Sequence, residues 1–389
     1  MGQEYKHWVV TATKPRPTKN EGWLPVANMS SLTYNAATES GAWRECLAQL
    51  PSSLIDLYFQ PEYVAMHLFV PEAEALAFSY SRGGNNWFYP FVKQPISSVG
   101  SRLFDQEHYC DIEAAYGYAG PISTTDDPQF LHEAHEAFSE WCARNGVVAE
   151  FVRLHPLLRN ERWLDGQTEV IHDRDTVSID LATATSDMPL LNSDARYMLR
   201  RAERAGVVVA SQPPSAGFDQ FVYLYKKTMK RVEAGDYYFF GDDYYNKLKN
   251  LVEQHGWLLA AEQSGRWVAA GLFLRSGCYL NYHLSASDPD NRVPGATNAL
   301  IYAAAQIGMR HGLQRFHLGG GRTSRPDDAL LKFKQSMGSC RHAFHIAKRV
   351  RNQEVYSRVC AIWREQYPSL IPIFGNRFLC YKEKPRVHP

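Results

Sequence analysis

One order of patterns occurs twice along this chain, and it constrains the fold more than any single motif. Residues 75–92, ALAFSYSRGGNNWFYPFV, set two apolar runs around Arg-Gly-Gly-Asn-Asn, the chemistry of a turn between paired strands. Residues 258–274, LLAAEQSGRWVAAGLFL, do the same around Ser-Gly-Arg. After each hairpin and a gap come a helical pattern, a glycine and a buried strand. Phe130, Leu131, Ala134, Ala137, Phe138, Trp141 and Cys142 share one stripe of a helix over 128–144. Gly146 ends it, and VVAEFVRLHP runs on as a strand. NALIYAAAQIGMR, residues 298–310, gives the second helix, Gly312 ends it, and LQRFHLG is the strand. Gly312 follows Gly146 by 166 residues, and Leu258 follows Leu76 by 182. Such spacings suggest two copies of one α/β unit, since a solenoid needs shorter periods and more copies. Any two α/β domains can share this order, so the duplication is an expectation resting on the whole series.

At 389 residues the chain is too long for one ordinary core and suits two domains. Charged residues make up 21% and apolar residues 45%, the balance of an ordinary water-soluble protein. The formal net charge is +1, so composition gives no support for binding nucleic acid through its phosphates, although a local basic patch stays open. Aromatics reach 13%, with 22 Tyr; they can pack cores or line a groove for a polar ligand. The seven cysteines are scattered without CxxC pairs, which points to reduced thiols rather than disulfides or zinc. MGQEYKHWVVTATKP has no apolar signal region, Gly2 lacks a myristoylation context, and no run of about 18 apolar residues occurs. A cytoplasmic protein without a membrane span is expected.

Between the two units, NSDARYMLRRAERAG over 192–206 reads as a helix capped by Ser193 or Asp194 and closed by Gly206. Arg196, Arg200 and Arg204 recur every fourth residue and share one face. That face is either solvated or a cationic stripe for a phosphorylated substrate.

Four stretches together resemble a known family. They are YGYAGP at 116–121, EFVRLHPLLRN at 150–160, RYMLRRAERAGV at 196–207, and the closing FHLGGG with LLKFKQSMG. In order and spacing they resemble the Fem-type aminoacyl transferases, and more closely the wider set of Fem-like, GNAT-fold proteins found near cell-envelope and exopolysaccharide genes. The likeness spans roughly residues 55–345. It implies an α/β (α+β) fold of two tandem GNAT-like domains, each a mixed, mostly antiparallel sheet flanked by helices. The expected bounds are 1–185 and 186–349, with a C-terminal segment, 350–389, that can pack back on the first domain. It also implies that an amino acid or acyl group moves from an activated donor onto an amine.

Lys334 follows Phe333 in a helix-like piece after the loop that leaves FHLGGG. The resemblance places this pair at the transfer centre, the lysine stabilising negative charge on the donor. A contact of the oxyanion-hole kind is worth about 3 kcal/mol. Read from the residues alone, Lys334 is a surface lysine on a helix whose Leu330, Leu331 and Phe333 are core. Gly319, Gly320 and Gly321 let a backbone approach a ligand or adopt positive φ, and α/β folds place ligands beyond strand ends. A plain wide turn uses the same glycines.

GNAT enzymes that use acetyl-CoA hold its pyrophosphate on an Arg/Gln-x-x-Gly-x-Gly/Ala loop before a helix, through backbone N–H groups and the helix dipole. The corresponding place here reads Arg292-Val293-Pro294-Gly295-Ala296-Thr297. Arg292 and Gly295 match, Thr297 departs from the small residue, and Pro294 removes an N–H donor. The degraded loop favours aminoacyl-tRNA or a carrier protein over acyl-CoA; aminoacyl-tRNA is the expected donor, acyl-CoA or an acyl carrier the alternatives, and no bound cofactor is expected.

His283, in the alternating strand YLNYHLSAS, and His317 are candidate proton acceptors or substrate contacts. Each can instead be a satisfied interior histidine. Arg153 and His155 close the first-unit strand, where an arginine can grip a carboxylate or phosphate two-pronged. Asp111, upstream of Tyr116, resembles the family's acidic position near the acceptor; each of these three can equally be a structural ion pair. Arg231, Tyr237 and Tyr238 stand where the family places substrate contacts, and rings beside an arginine suit a sugar nucleotide. An aromatic mini-core suits that stretch as well. No HExxH or clustered Cys/His at ligand spacing appears, so no metal is expected.

The expected activity is amide formation on a small-molecule amine, one that can carry phosphate, of a cell-envelope, exopolysaccharide or secondary-metabolite precursor. The rival reading is a GNAT-like binding module without turnover.

Overall fold

The structure, a computed structural model, describes residues 29–104, 108–184, 191–235 and 238–385. The N-terminal stretch and Tyr237 lie outside them. In the first half, β1 (Met29–Asn35) leads through α1 (Ser40–Ala48) and α2 (Pro61–Ala65) to the hairpin of β2 (Glu74–Arg82) and β3 (Asn85–Pro95). Gly83 and Gly84 form its turn with φ of 59° and 84°, which two-residue hairpin turns of this type require. A small ribbon, β4 (Ser98–Val99) and β5 (Arg102–Leu103), precedes β6 (Cys110–Glu113) and β7 (Ile122–Ser123). The predicted helix is α3 (Pro128–Arg144), and β8 (Val147–Arg153) follows, lying parallel to β6. β9 (Glu169–Asp180) ends this half.

The second half repeats the pattern. α4 (Ser193–Arg204), β10 (Val208–Gln212), α5 (Pro214–Arg231) and α6 (Asp242–His255) lead into the hairpin of β11 (Gly256–Gln263) and β12 (Arg266–Ser276). β13 (Tyr279–Ser287), α7 (Ala296–Arg310) and β14 (Arg315–Gly320) then form the second parallel crossover. α8 (Ala329–Met337), β15 (Cys340–Val350), α9 (Gln353–Gln366) and α10 (Ile371–Phe374) complete the chain. The cap of α4 differs from the sequence reading. Asn192, not Ser193 or Asp194, accepts the Ala195 N–H at 2.9 Å, because its extended backbone sets it one residue outside the helix.

The fold class is the one the resemblance implies, mixed α/β with a mostly antiparallel sheet and helices on its faces, but the two halves share one large sheet. Its order is β1-β2-β3-β6-β8-β15-β9-β14-β13-β12-β11-β10, with β7 also on β3. Two strands cross over. β9 leaves the first half to pair with β14, and β15 returns from the second half to lie between β8 and β9. The sheet is therefore continuous, and both halves are fixed to one frame. α9 and the stretch through Cys380 and Tyr381 pack on the first half, where Val355, Val359 and Trp363 bury against Ile96, Val99 and Val148.

In the second half, Phe273, Leu280, Leu300, Ile301, Phe316 and Leu318 are fully buried between sheet and helices. Each such side chain stabilises the fold by roughly 1.5–3 kcal/mol. A polar junction sets how the halves meet. Asp56, on the segment before α2, accepts from Asn281 of β13 at 2.7 Å and from its own helical turn at Leu57. His155 Nε2 lies 2.9 Å from the same carboxylate, and both side chains are fully buried. Tyr279 donates to the Ser53 carbonyl at 2.6 Å. These contacts dock the first half on the strand that borders the site.

Candidate active site

β13 and β14 pair only from Tyr279 to Asn281 and from Arg315 to His317. Beyond that they part. His283 is an extra residue in β13 against β12, and Leu318 is one in β14 against β9; such bulges bend strands apart. The bulge at His283 also breaks the simple alternation read from YLNYHLSAS. The gap opens into a cleft of about 1150 Å³. β13, the start of α7, the glycine loop and α8 wall it on one side. Tyr58, Tyr116, Tyr118 and Arg153 of the first half wall it on the other.

Lys334 reaches this cleft because α8 buries Leu331, Lys334 and Met337 along one face. Asp328 starts the helix, accepting from Leu331 N–H at 2.9 Å, and also binds Arg322 N–H at 3.2 Å and Thr323 N–H at 3.1 Å. One carboxylate thus joins the loop after β14 to the helix. Lys334 is 8% exposed, and its Nζ donates to the Gly320 carbonyl at 2.7 Å. The Nζ sits 6.0 Å from the Tyr282 ring centre. A Cβ at Gly319, whose φ is 76°, would lie 3.2 Å from that Nζ and 3.4 Å from the Tyr118 hydroxyl. Gly319 is therefore the glycine of the three that makes room for the lysine, while Gly320 packs on Asp175 and Arg174 and Gly321 on Asp328. Burial pushes the ammonium down to about 7, partly opposed by the Asp328 charge.

His317 is 1% exposed, and its Nε2 has no hydrogen-bond partner among the described residues. Burial, then the neighbouring His155, His342 and Lys334, hold its pKa well below the usual range. Burial and His67 push His283 down to about 3, and its Nε2 lies 3.3 Å from the Tyr244 hydroxyl. Both imidazoles are neutral at pH 7.

Gly295 precedes α7 with φ 87°, and a Cβ there would lie 2.1 Å from the Met198 carbonyl oxygen. No side chain caps this helix; the Ala296 N–H binds the Val293 carbonyl at 3.2 Å, while Thr297 and Asn298 of the same first turn, whose N–H groups have no intrahelical partner, line the cleft. The first half differs. There Asp127 places its carboxylate on the start of α3, accepting from Gln129 and Phe130 N–H at 3.3 Å each. The anion-attracting helix end is open in the second half and filled in the first.

Of the residues singled out by sequence, Tyr116, Arg153, Arg231, Tyr238, His283, Arg292, Gly295, Thr297, His317, Gly319, Gly320, Phe333 and Lys334 line this cleft. Four do not. Asp111 is fully buried away from it, accepting from Tyr381 at 2.8 Å and facing Lys382 Nζ at 3.2 Å; the returning C-terminal segment claims it. His155 is spent on Asp56. Arg196 donates to the Leu191 carbonyl at 3.0 Å, and Arg200 is exposed on α4, because the Met198 and Ala202 side of that helix turns to Gly295. Tyr58, Tyr118, Tyr282, Arg174 and Arg322 also line the cleft and were not singled out by sequence, although Tyr118 lies within YGYAGP. The walls carry five arginines and Lys334 against one carboxylate, Glu233. The near-neutral chain conceals a cationic cleft.

The acetyltransferase (GNAT) domain family matches residues 192–334, the stretch that holds β13, α7, β14 and Lys334. The second-half wall of the cleft is GNAT-like. The GNAT domain thus supplies the splayed strands, the open helix end and the lysine, and the chain is an acyltransferase. No curated protein matches the chain. Among solved structures, FemX superposes with a TM-score of 0.61 at 13% identity, covering 81% of this chain and 97% of that one. The C-terminal domain of a chain assigned as lysylphosphatidylglycerol synthetase, from Agrobacterium fabrum, gives 0.52 at 14% identity over 88% and 98%. A conserved protein of unknown function from Bacteroides thetaiotaomicron gives 0.50 at 11% over 79% and 96%. The likeness to the FemX fold, over 81% of this chain, extends well beyond the GNAT-matched residues.

Proposed function

We propose that the chain is an N-acyltransferase of the Fem type, with residues 186–349 as the catalytic unit and 1–185 supplying the acceptor wall. A donor bearing phosphate lies at the open end of α7, and its acyl carbonyl reaches the gap between β13 and β14. An amine entering past Tyr116 attacks the carbonyl carbon. The C–N bond forms, the bond to the donor oxygen or sulfur breaks, and the amine proton leaves with the departing group or through a neutral acceptor in the cleft. Edge N–H groups of β13 and the Lys334 ammonium offset the oxyanion charge. The observation that carries this reading is Lys334, buried against Gly319 and Gly320 with no carboxylate ion-paired to it among the described residues.

Aminoacyl-tRNA is the favoured donor. The Fem resemblance supports it, and so does Pro294, which removes an N–H from the loop a CoA pyrophosphate would use. Acyl-CoA is the second reading, favoured by Gly295 and the uncapped helix. The acceptor is an amine of a cell-envelope, exopolysaccharide or secondary-metabolite precursor. A tRNA donor places the reaction in the cytoplasm; among the described residues no helix is long and apolar enough to cross a membrane. The test is transfer of radiolabel to a mixed extract of amines. One arm supplies charged tRNA with and without RNase, the other acyl-CoA. RNase-sensitive label supports the first donor, label in the CoA arm alone supports the second, and label in neither arm rejects the transferase.

A further inference from the structure

Outside the cleft mouth lies an apolar surface built by both halves. Phe69 and Val70 are 51% and 44% exposed, and Tyr238 and Phe239 are 38% and 39% exposed. Exposed large side chains grouped in this way mark a binding surface more often than chance. Phe69 stacks on Phe240 at 6.5 Å and on the His67 ring edge at 5.7 Å. His67 in turn stacks on Tyr116 at 6.2 Å. Tyr116 and Tyr238 are also cleft walls, so the patch and the cleft are one continuous surface. Arg153 stands between. Its Nη1 binds the Ala114 carbonyl at 3.2 Å, two residues before Tyr116, its guanidinium lies over the Phe151 ring at 4.9 Å, and no carboxylate pairs with it among the described residues.

We propose that the acceptor is an amphipathic amine: its amino group reaches Lys334, an anionic group meets Arg153, and its apolar chain lies on Phe69, Val70 and Phe239. This rests on the acyl-transfer reading of the cleft and names the acceptor class. The donor takes the opposite, α7 end, where Arg292 stands and, among the described residues, no comparable apolar patch adjoins. An acceptor that is polar throughout would leave four large apolar side chains in water with nothing to cover them, whereas a chain lying on them removes that area from water.

The test measures binding to the whole chain without turnover, by titration calorimetry. The probes are phosphoethanolamine and its single-chain lysolipid homologues of increasing length, kept below their micelle concentrations. Affinity should tighten about twofold per added methylene, against the roughly fourfold that full burial gives. Phe69→Ser and Phe239→Ser should flatten that slope. Arg153→Gln should weaken phosphate-bearing probes roughly tenfold and leave plain alkylamines unchanged. Affinity independent of chain length overturns the proposal, as does a slope that survives both serine variants. So does self-association of the chain that disappears in Phe69→Ser without any chain-length effect, since the patch then joins copies. A steep slope with no transfer from any donor would reject the proposed function and leave an amphiphile-binding surface without the acceptor role; transfer to soluble amines with a flat slope would keep the proposed function and overturn this inference.

Discussion

The Lys334 ammonium lies 2.7 Å from the Gly320 carbonyl oxygen, and no carboxylate stands within ion-pair distance of it among the described residues. Burial outweighs the Asp328 charge that opposes it, so the ammonium gives up its proton easily, with a pKa of about 7.

That value makes the rate sensitive to pH. If the ammonium stabilises the oxyanion, its share of the rate falls as pH rises through about 7. Lys334→Arg keeps a charge at all these pH values and should remove that limb. Lys334→Met should lower kcat by about 100-fold to 1000-fold, as loss of an oxyanion contact does. Stability moves the other way. The folded lysine holds its proton less tightly than the unfolded one, so between about 7 and 10.5 the unfolded state binds more protons and stability rises with pH. Denaturation midpoints across that window should rise in the wild type and stay flatter in Lys334→Met.

Gly319→Ala tests the approach path. The new methyl would meet the lysine Nζ at 3.2 Å and the Tyr118 hydroxyl at 3.4 Å, on a backbone with φ 76°. Positive φ alone costs about 1–2 kcal/mol for a side-chain residue. Displacement of the ammonium should lower kcat roughly 10-fold to 100-fold. Initial rates and melting temperature, measured together, separate the two effects; unchanged kcat with a lowered melting temperature would mean that the glycine serves the turn only.

The sequence made the repeat legible because its signals are local. Two-residue turns at Gly83-Gly84 and Ser264-Gly265, apolar stripes on α3 and α7, and glycines after each helix act within a few residues. The crossing of β9 and β15 has no local signal. Neither was singled out in the sequence, and only pairing across more than 100 residues decides where each lies. The same limit explains the site. Lys334, Gly319 and Gly295 sit within one contiguous unit and were found. Tyr58 enters from far upstream through the Asp56 and Asn281 junction, and Asp111 is drawn off by Tyr381 and Lys382, 270 or more residues later. A buried structural carboxylate and a catalytic one look alike until their partners are seen.

Asp111 should therefore matter to stability and not to transfer. Asp111→Asn leaves Lys382 facing Glu113 and Gln94 but breaks a buried ion pair, at a cost of about 3 kcal/mol. Urea denaturation should show the loss, while kcat and KM of the folded variant stay at wild-type values. A variant with normal stability and a collapsed kcat would return Asp111 to the reaction.

The two helix starts give the sharpest contrast. Asp127 fills the N-terminal end of α3 with its own carboxylate, so that end has no room for a ligand anion. Asp127→Ala removes two accepted N–H bonds and should cost about 1 kcal/mol, with donor KM unchanged. At α7 the place of such a carboxylate is held by Gly295, which has no side chain to offer, and Met198 leaves no space for one. Gly295→Ala should push α4 from α7, lower the melting temperature and raise donor KM together. If Asp127→Ala raises donor KM and Gly295→Ala does not, the donor lies in the first half, and the assignment of residues 186–349 as the catalytic unit fails. The contrast needs no identified acceptor, because KM for the donor can be read from its hydrolysis wherever transfer to water competes with transfer to an amine.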